Sequence, residues 1–309
     1  MVQTPVPKKK YVINQISTGW NIVFSAIVII LAAMALIPLL LVLSVSFSSA
    51  MSIAKEGYQF FPSEWSLDAY RAILKMGTSF GRSYMNTIFY TAVGTTVSLF
   101  LMSMFAYVLA RKDFKYRFPL SFFVYFTTLF SGGLVPTYIL NTQILHINNT
   151  IWIFLLSGLI SAFDIIMLRT FCQTTIPEEL LDAAKIDGAN DFQVYTRIVM
   201  PLFKAGLATV GLFGVVTRWN DWFTGILYCE NPKLLPVMTV LQRIQNSIDF
   251  LKANTEFAST VEGAAFLKSL PSESTRMALS VISIIPMLIM YPFFQKYFVQ
   301  GLTVGSVKG

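Results

Sequence analysis

Six long apolar stretches constrain this chain more than anything else in it: Asn21–Phe47, Tyr84–Ala110, Phe118–Leu140, Ile151–Thr170, Ala205–Cys229 and Met277–Gln295. As helices rising about 1.5 Å per residue, each is long enough to cross roughly 30 Å of hydrocarbon. Strands of that length in a soluble core would be exceptional. Composition agrees, with 55% of residues apolar and 13% charged, the latter about half the share usual in a soluble domain. The expectation is an all-α membrane protein with six transmembrane helices at 21–47, 84–110, 118–140, 151–170, 205–229 and 277–298. Lysines before the first stretch and the small residues Ser48-Ser49-Ala50 after it imitate a signal peptide. Its apolar run is far longer than the roughly 7–15 residues of a secretory h-region, so it reads as an uncleaved anchor.

The net charge of +7 would suit a nucleic-acid partner if it lay on one solvated face. Its distribution says otherwise. Lys8, Lys9 and Lys10 precede the first span, and Arg111, Lys112, Lys115 and Arg117 face only Asp113 in the second-to-third connection. Basic connections stay on the cytoplasmic side, which makes both chain ends cytoplasmic and places the whole excess inside. No nucleic acid is required. The resulting order is a cytoplasmic segment 1–20, the first span, an external segment 48–83, a core 84–298 holding the other five spans, and a cytoplasmic tail 299–309. Within the core lie a cytoplasmic loop 174–201 and an external loop 230–276.

In the external segment, SLDAYRAILK offers Ser66 as the cap of a short helix with Leu67, Tyr70 and Leu74 on one face. The external loop mixes apolar and charged residues at helical spacing around Val240–Ala253 and is the expected outer docking surface. One histidine, His146, and two cysteines, Cys172 and Cys229, are too few for a His/Cys metal centre or most nucleophilic triads. The cysteines sit near opposite membrane faces, which forbids a bridge. Neither catalytic nor metal-ligating residues are assigned.

The cytoplasmic loop carries TTIPEELLDAAKIDGANDFQVYTRIVMPLF. Pro177 suits a helix start, Glu178 and Glu179 its positive end, and Leu180, Leu181, Ala184 and Ile186 an apolar face. Gly188 permits a sharp turn, Asn190 or Asp191 caps a second helix, and Pro201 ends it before the fifth span. Helix, turn and helix make a rigid knob below the membrane.

Those residues resemble a known family, the membrane permease subunits of binding-protein-dependent ATP-binding-cassette importers. The family signature is Glu-Ala-Ala, three residues, Gly, nine residues and Ile-x-Leu-Pro. Here it reads Asp182-Ala183-Ala184, Gly188 and Ile198-Val199-Met200-Pro201, with Asp182 and Met200 as close departures. Phe130–Tyr138, Trp219–Trp222 and the tail Gln295–Gly309 are similar to the carbohydrate-importing branch, and more narrowly to permeases for oligosaccharides and complex glycans.

The resemblance implies a type I importer permease fold and alternating access driven by partners. Those partners are a second homologous permease subunit, two cytoplasmic ATPase subunits and an external solute-binding protein, with a carbohydrate as solute and membrane lipid around the spans. Leu181–Ala189 would seat in an ATPase groove, Asp182 and Asp187 meeting polar groups at its rim while Ala183, Ala184 and Gly188 allow close approach. The chain has no GxxxxGK[ST] loop, so ATP and Mg belong to the partner subunits and no cofactor is bound here.

Three intramembrane features have two readings each. Asp164, the lone charge in the fourth span, lines a polar path or is satisfied by a neighbouring helix. Gly132, Gly133 and Pro136 interrupt the third span, lining a cavity or allowing close packing. Trp219, Asn220, Asp221 and Trp222, with Arg218 as an ion-pair candidate for Asp221, offer stacking and hydrogen bonds to a sugar, or a gate or packing role. An ion-coupled secondary transporter would instead need paired intramembrane charges. A membrane enzyme would need a clustered nucleophile and base.

Overall fold

The computed structural model describes residues 17–305 except Met76. Lys8, Lys9 and Lys10, and residues 306–309 of the tail with Lys308, lie outside the described residues. The described residues are 78% helical, and the only strand-like feature among them is one antiparallel bridge, Ser48 to Trp65.

Helix α1, Thr18–Ser46, keeps an entirely exposed apolar window. After it, α2 (Ala50–Glu56) and α3 (Asp68–Lys75) pack against the final helix, Glu273–Gly305. The long α4 (Thr78–Ala110) is the central post, packed most extensively against α8 and α12. The third apolar stretch is two helices, α5 (Arg117–Leu129) and α6 (Leu134–Ile139), the latter running into a π-helical turn at Leu140–Ile144; the two halves meet at 111°. The fourth is also broken, into α7 (Ile151–Leu156) and α8 (Ala162–Thr175). On the side that follows come α9 (Glu178–Ile186), α10 (Asp191–Val194), a π-helical turn at Tyr195–Val199 and α11 (Met200–Leu202). The chain then turns by 80° into α12 (Lys204–Trp219), followed by α13 (Phe223–Tyr228). The remaining elements are α14 (Val237–Ala253), α15 (Thr255–Ser259), α16 (Val261–Ser269) and α17 (Glu273–Gly305).

Three segments among the described residues are long and apolar enough to cross a membrane: Thr18–Ser46, Ser79–Ala110 and Val261–Gln295. The number is five if each bent pair counts as one span. The fourth stretch fails as a single helix because Gly158 takes φ +64° and the Ser161 side chain restarts the helix by accepting the Asp164 N–H. Leu159 and Ile160 keep that break apolar on average despite Ser157, Gly158 and Ser161, so hydropathy summed over the stretch does not register it.

One local expectation changes. Ser66 does accept an N–H, that of Asp68 at 3.0 Å. The buried face of α3 is Ala69 and Ile73 against Ala278 and Leu279 of α17, whereas Leu67 and Leu74 stand 53% and 80% exposed. Tyr70 packs beside that inner face and its hydroxyl meets Ser46 at 2.8 Å. Pro201 stands, as expected, at the end of the second helix: it lies in the last turn of the continuous helical run Asp191–Leu202, and the 80° bend into α12 falls at Phe203. In the tail, 299–305 continues α17 without interruption.

Candidate functional site: a charge-tied platform and the break in the fourth apolar stretch

The segment after α8 is held by three devices that the sequence specifies locally. Pro177 caps α9 in extended conformation. Gly188 takes φ +78°, the left-handed region where a Cβ is penalised. Asn190 and Gln193 then form a reciprocal capping box that starts α10.

The apolar residues of α9 divide between two faces. Leu181 and Ala184 turn inward onto a core that includes Tyr107, Leu168, Val194, Tyr195 and Val199, with Ala184 only 6% exposed. Ala184 is therefore small for its own chain's sake. Ile198 and Ala189 pack on the same core, while Glu179, Asp182, Ala183, Asp187, Gly188 and Pro201 are exposed. Leu180 and Ile186 are exposed too, Ile186 at 87%. The outer face thus presents Leu180, Ala183 and Ile186 or Asp187 at three- and four-residue spacing.

What fixes this face in space is an ion-pair network absent from the sequence reading. Arg111, the residue after α4, bonds both Asp113 and, from across the loop, Asp191. Lys185 of α9 reaches Asp113 at 2.7 Å and Lys112 reaches Glu178 at 2.9 Å. The Tyr195 hydroxyl meets Ser103 of α4 at 2.6 Å, tying the π-helical turn to the same post. A cleft of about 660 Å³ lies among these elements. Bonds from Arg111 and then Lys185 hold the Asp113 carboxyl well below the usual carboxylate range, and bonding to Asp113 raises Arg111 in turn.

The linkage follows from those directions. A depressed carboxylate pKa contributes stability above its unfolded value, about 3.9, and loses it as pH falls through the folded value. The raised Arg111 value contributes at every pH below the guanidinium's own titration. The seat of α9 therefore loosens below about pH 4 and is steady through neutrality. Arg111→Gln is expected to weaken it by about 1–2 kcal/mol, because charged hydrogen bonds are lost while both acid partners remain partly solvated. Hydrogen exchange across Glu178–Ile186 in detergent, at pH 7 and pH 3, reads both effects. Unchanged protection in the variant refutes the tie.

The second cluster lies where α12, α4 and the 157–161 break meet. The Arg218 guanidinium approaches the carbonyls of Phe154, Ser157 and Gly158 at 3.4, 3.4 and 3.1 Å. It lies across Gly94, where a Cβ would come within 2.8 Å of Nη1. Ser98 of α4 binds the Leu159 carbonyl, so the freed carbonyls of the break are satisfied from two helices. The expected Arg218–Asp221 ion pair does not form; Asp221 instead accepts the Thr224 N–H at 3.0 Å and starts α13.

Trp219 is 4% exposed, donates its indole N–H to the Ser283 carbonyl at 3.0 Å and meets Tyr84 edge-on. Trp222 is 40% exposed against Phe223, and the exposed Asn220 bonds the Val216 carbonyl of its own helix. Asp164 stands in the first turn of α8, whose positive end suits a carboxylate. Gly132 and Gly133 form the exposed elbow between α5 and α6, where Gly133 has φ +85° and its carbonyl accepts the Thr137 hydroxyl. The structure thus brings Asp221 to the Arg218 cluster, turns Trp219 away from it into the α17 packing, and leaves Gly132, Gly133 and Asp164 on other elements. Among the described residues no group of His, Cys, Asp and Glu is arranged to hold a metal.

Comparison with known proteins converges on this architecture. The pattern of the family described as "Binding-protein-dependent transport system inner membrane component" matches residues 76–304. The chain is 36% identical over 278 residues to the polygalacturonan/rhamnogalacturonan transport system permease protein YtcP of Bacillus subtilis (strain 168), covering 90% of this chain and 94% of that one. It is 28% identical over 287 residues to the arabinooligosaccharides transport system permease protein AraQ of Halalkalibacterium halodurans, covering 90% and 93%. A solved chain described as a bacterial ABC transporter involved in the import of the acidic polysaccharide alginate superposes with a TM-score of 0.77 at 32% identity, over 93% of this chain and all of the other.

Proposed function

The chain belongs to the family of binding-protein-dependent transport system inner membrane components, and from that premise we propose that it is one half of an ATP-driven importer for a carbohydrate, an oligosaccharide in particular. It is a multi-pass protein of the cell membrane and a transport permease, not itself a catalyst. In the proposal it has six spans with both ends cytoplasmic, each broken pair lining the space shared with a second homologous permease. Two ATPase subunits sit below, binding all the ATP and Mg, and a solute-binding protein docks outside on 230–276.

The observation that carries the reading is α9. It has a seated inner face, an exposed outer face of Leu180, Ala183 and Asp187, and a left-handed Gly188 at its end, all tied by Arg111 to the central post. A short helix held this rigidly, and left uncovered by its own chain, transmits a rigid-body push from a soluble partner. Glu178, Glu179, Leu181, Asp182, Ala183, Ala184, Asp187, Gly188, Ala189, Ile198 and Pro201 form or support that contact. Gly132, Gly133, Asp164, Trp219, Asn220, Asp221 and Trp222 line, gate or brace the solute path.

The test is purification in mild detergent with whatever co-migrates, followed by ATP hydrolysis in the presence of a candidate receptor loaded with oligosaccharide. Co-purification of an ATPase stimulated by the loaded receptor is expected. Transport driven by an ion gradient, with no ATPase attached, overturns the reading.

A further inference from the structure

We propose that the seam between α5 and α8 binds the phosphate of a membrane phospholipid through Arg117, Ser121 and Arg169, with an acyl chain laid along the phenylalanines of α5. The site rests on membrane residence alone and is independent of the solute.

The seam gathers donors for which this chain supplies no acceptor. Arg117, Leu120, Ser121 and Val124 are the residues of α5 that are not exposed. Arg117 and Cys172 line one cleft, and Val124 packs in the core that holds Ile165. Those two contacts run α5 and α8 antiparallel, which sets Ser121 opposite Leu168 and Arg169. On α8, Leu168 and Cys172 turn into the core and Phe171 meets Gly206 of α12. At about 100° per residue, Arg169 is left on the flank towards α5. Arg117 Nε, Ser121 Oγ and Arg169 Nε are closed to solvent and have no hydrogen-bond partner. Five side-chain atoms among the described residues are stranded in this way, and three of them fall on this one seam. Buried donors are seldom left so, and an acceptor from outside the chain is the ordinary remedy.

The nearby acids do not provide it. Asp113 and Asp191 are held by Arg111, Asp113 also by Lys185, and Glu178 by Lys112, and neither Arg117 nor Arg169 forms an ion pair. Glu179 and Asp182 line the cleft from α9, but Ser121 and Arg169 lie outside that lining, and the phosphate sits on their side of Arg117. Asp164 is on α8 itself, about 140° round the helix from Arg169.

The apolar half of the ligand has its own surface. The Arg117 guanidinium lies over the Phe118 ring at 4.9 Å. From there Phe118, Phe122, Phe126 and Phe130 follow at four-residue spacing, all exposed, with the last two ring pairs 6.2 and 4.5 Å apart between centroids. Their run covers about 18 Å of helix, close to the roughly 15 Å depth of one leaflet. Cations at one end of an apolar face one leaflet deep match a phospholipid in both charge and length. Basic pockets between membrane helices take anionic headgroups in this manner. Two guanidiniums favour a headgroup of net negative charge, phosphatidylglycerol over phosphatidylcholine.

The experiment uses the full chain purified in detergent with its co-migrating subunits. Retention of radiolabelled phosphatidylglycerol is titrated, with phosphatidylcholine and inorganic phosphate as competitors. Wild type is expected to hold phosphatidylglycerol several-fold more tightly than phosphatidylcholine and to keep it in excess inorganic phosphate. Arg117→Gln and Arg169→Gln should each weaken phosphatidylglycerol about fivefold, and the double variant about twenty-five-fold, while phosphatidylcholine changes little. Ser121→Asp supplies the missing acceptor from within the chain. It should raise the unfolding midpoint and abolish the preference for phosphatidylglycerol, which decides the matter if the arginine variants fail to fold.

Displacement by inorganic phosphate overturns the lipid as occupant. Equal retention by wild type and the double variant, a Ser121→Asp chain that binds as wild type does, or a wild type with no preference between the two lipids overturns the site. Loss of a co-purifying subunit from the double variant, with lipid retention unchanged, overturns it in favour of a protein contact.

Discussion

Gly188→Asp is expected to lower uptake at least about tenfold, a loss of roughly 1.4 kcal/mol or more in the coupled step, in a chain that still inserts and loses only about 1 kcal/mol of stability to the left-handed backbone. The backbone at Gly188 has φ +78°, and an added Cβ would meet nothing of this chain within 4 Å. Aspartate is among the few residues that tolerate the left-handed region. The surrounding hydrogen bonds, Gly188 N–H to Lys185 and Ala189 N–H to Ala184, are backbone bonds that the substitution leaves in place. The chain's own fold therefore has room for the new side chain. The loss arises from what sits against the outer face of α9, where the carboxylate adds bulk and a charge beside Asp187. Uptake in vesicles, with insertion checked by protease accessibility, measures it. Normal uptake by the correctly inserted variant removes the coupling role from this turn.

Trp219→Ala should cost about 3–5 kcal/mol of stability, the range for an aromatic removed from a packed interior, whereas Trp222→Ala should cost under about 1 kcal/mol. Trp219 is 4% exposed, its N–H is bonded to Ser283 of α17, and its ring edge meets Tyr84 of α4. It pins α12 to both neighbours. Trp219→Phe keeps most of the packing and loses the hydrogen bond, so it should fall between at about 1–2 kcal/mol. Unfolding in detergent compares the three, and an unchanged midpoint in Trp219→Ala refutes the anchor. With the fold spared, uptake by Trp222→Ala reports on the gate or solute contact proposed for that residue.

The parts of the loop legible in the sequence were those decided within a few residues. Gly188 turned as its lack of a Cβ allows, and Asn190 capped α10 as its short side chain allows. The helix at Val240–Ala253 also formed, starting at Val237. The faces of short helices were not legible. Both α3 and α9 have apolar residues on more than one side, and only their neighbours select which side is buried. The same holds for the charges. Arg111 read as one basic residue in a cytoplasmic connection, and its bond to Asp191 spans eighty residues of chain.

Membrane residence and the helical content were determined by the sequence alone, because transfer into hydrocarbon depends on composition summed along a stretch and a backbone in lipid must bond to itself. Where those helices break was a matter for the tertiary structure. The run from Ile151 to Thr170 is apolar throughout its uncharged middle, yet it opens at 157–161 because Arg218 and Ser98, from two other helices, supply the donors its carbonyls lack. A backbone group in an apolar setting can leave its helix only where another element meets it, and no single stretch of sequence carries that element.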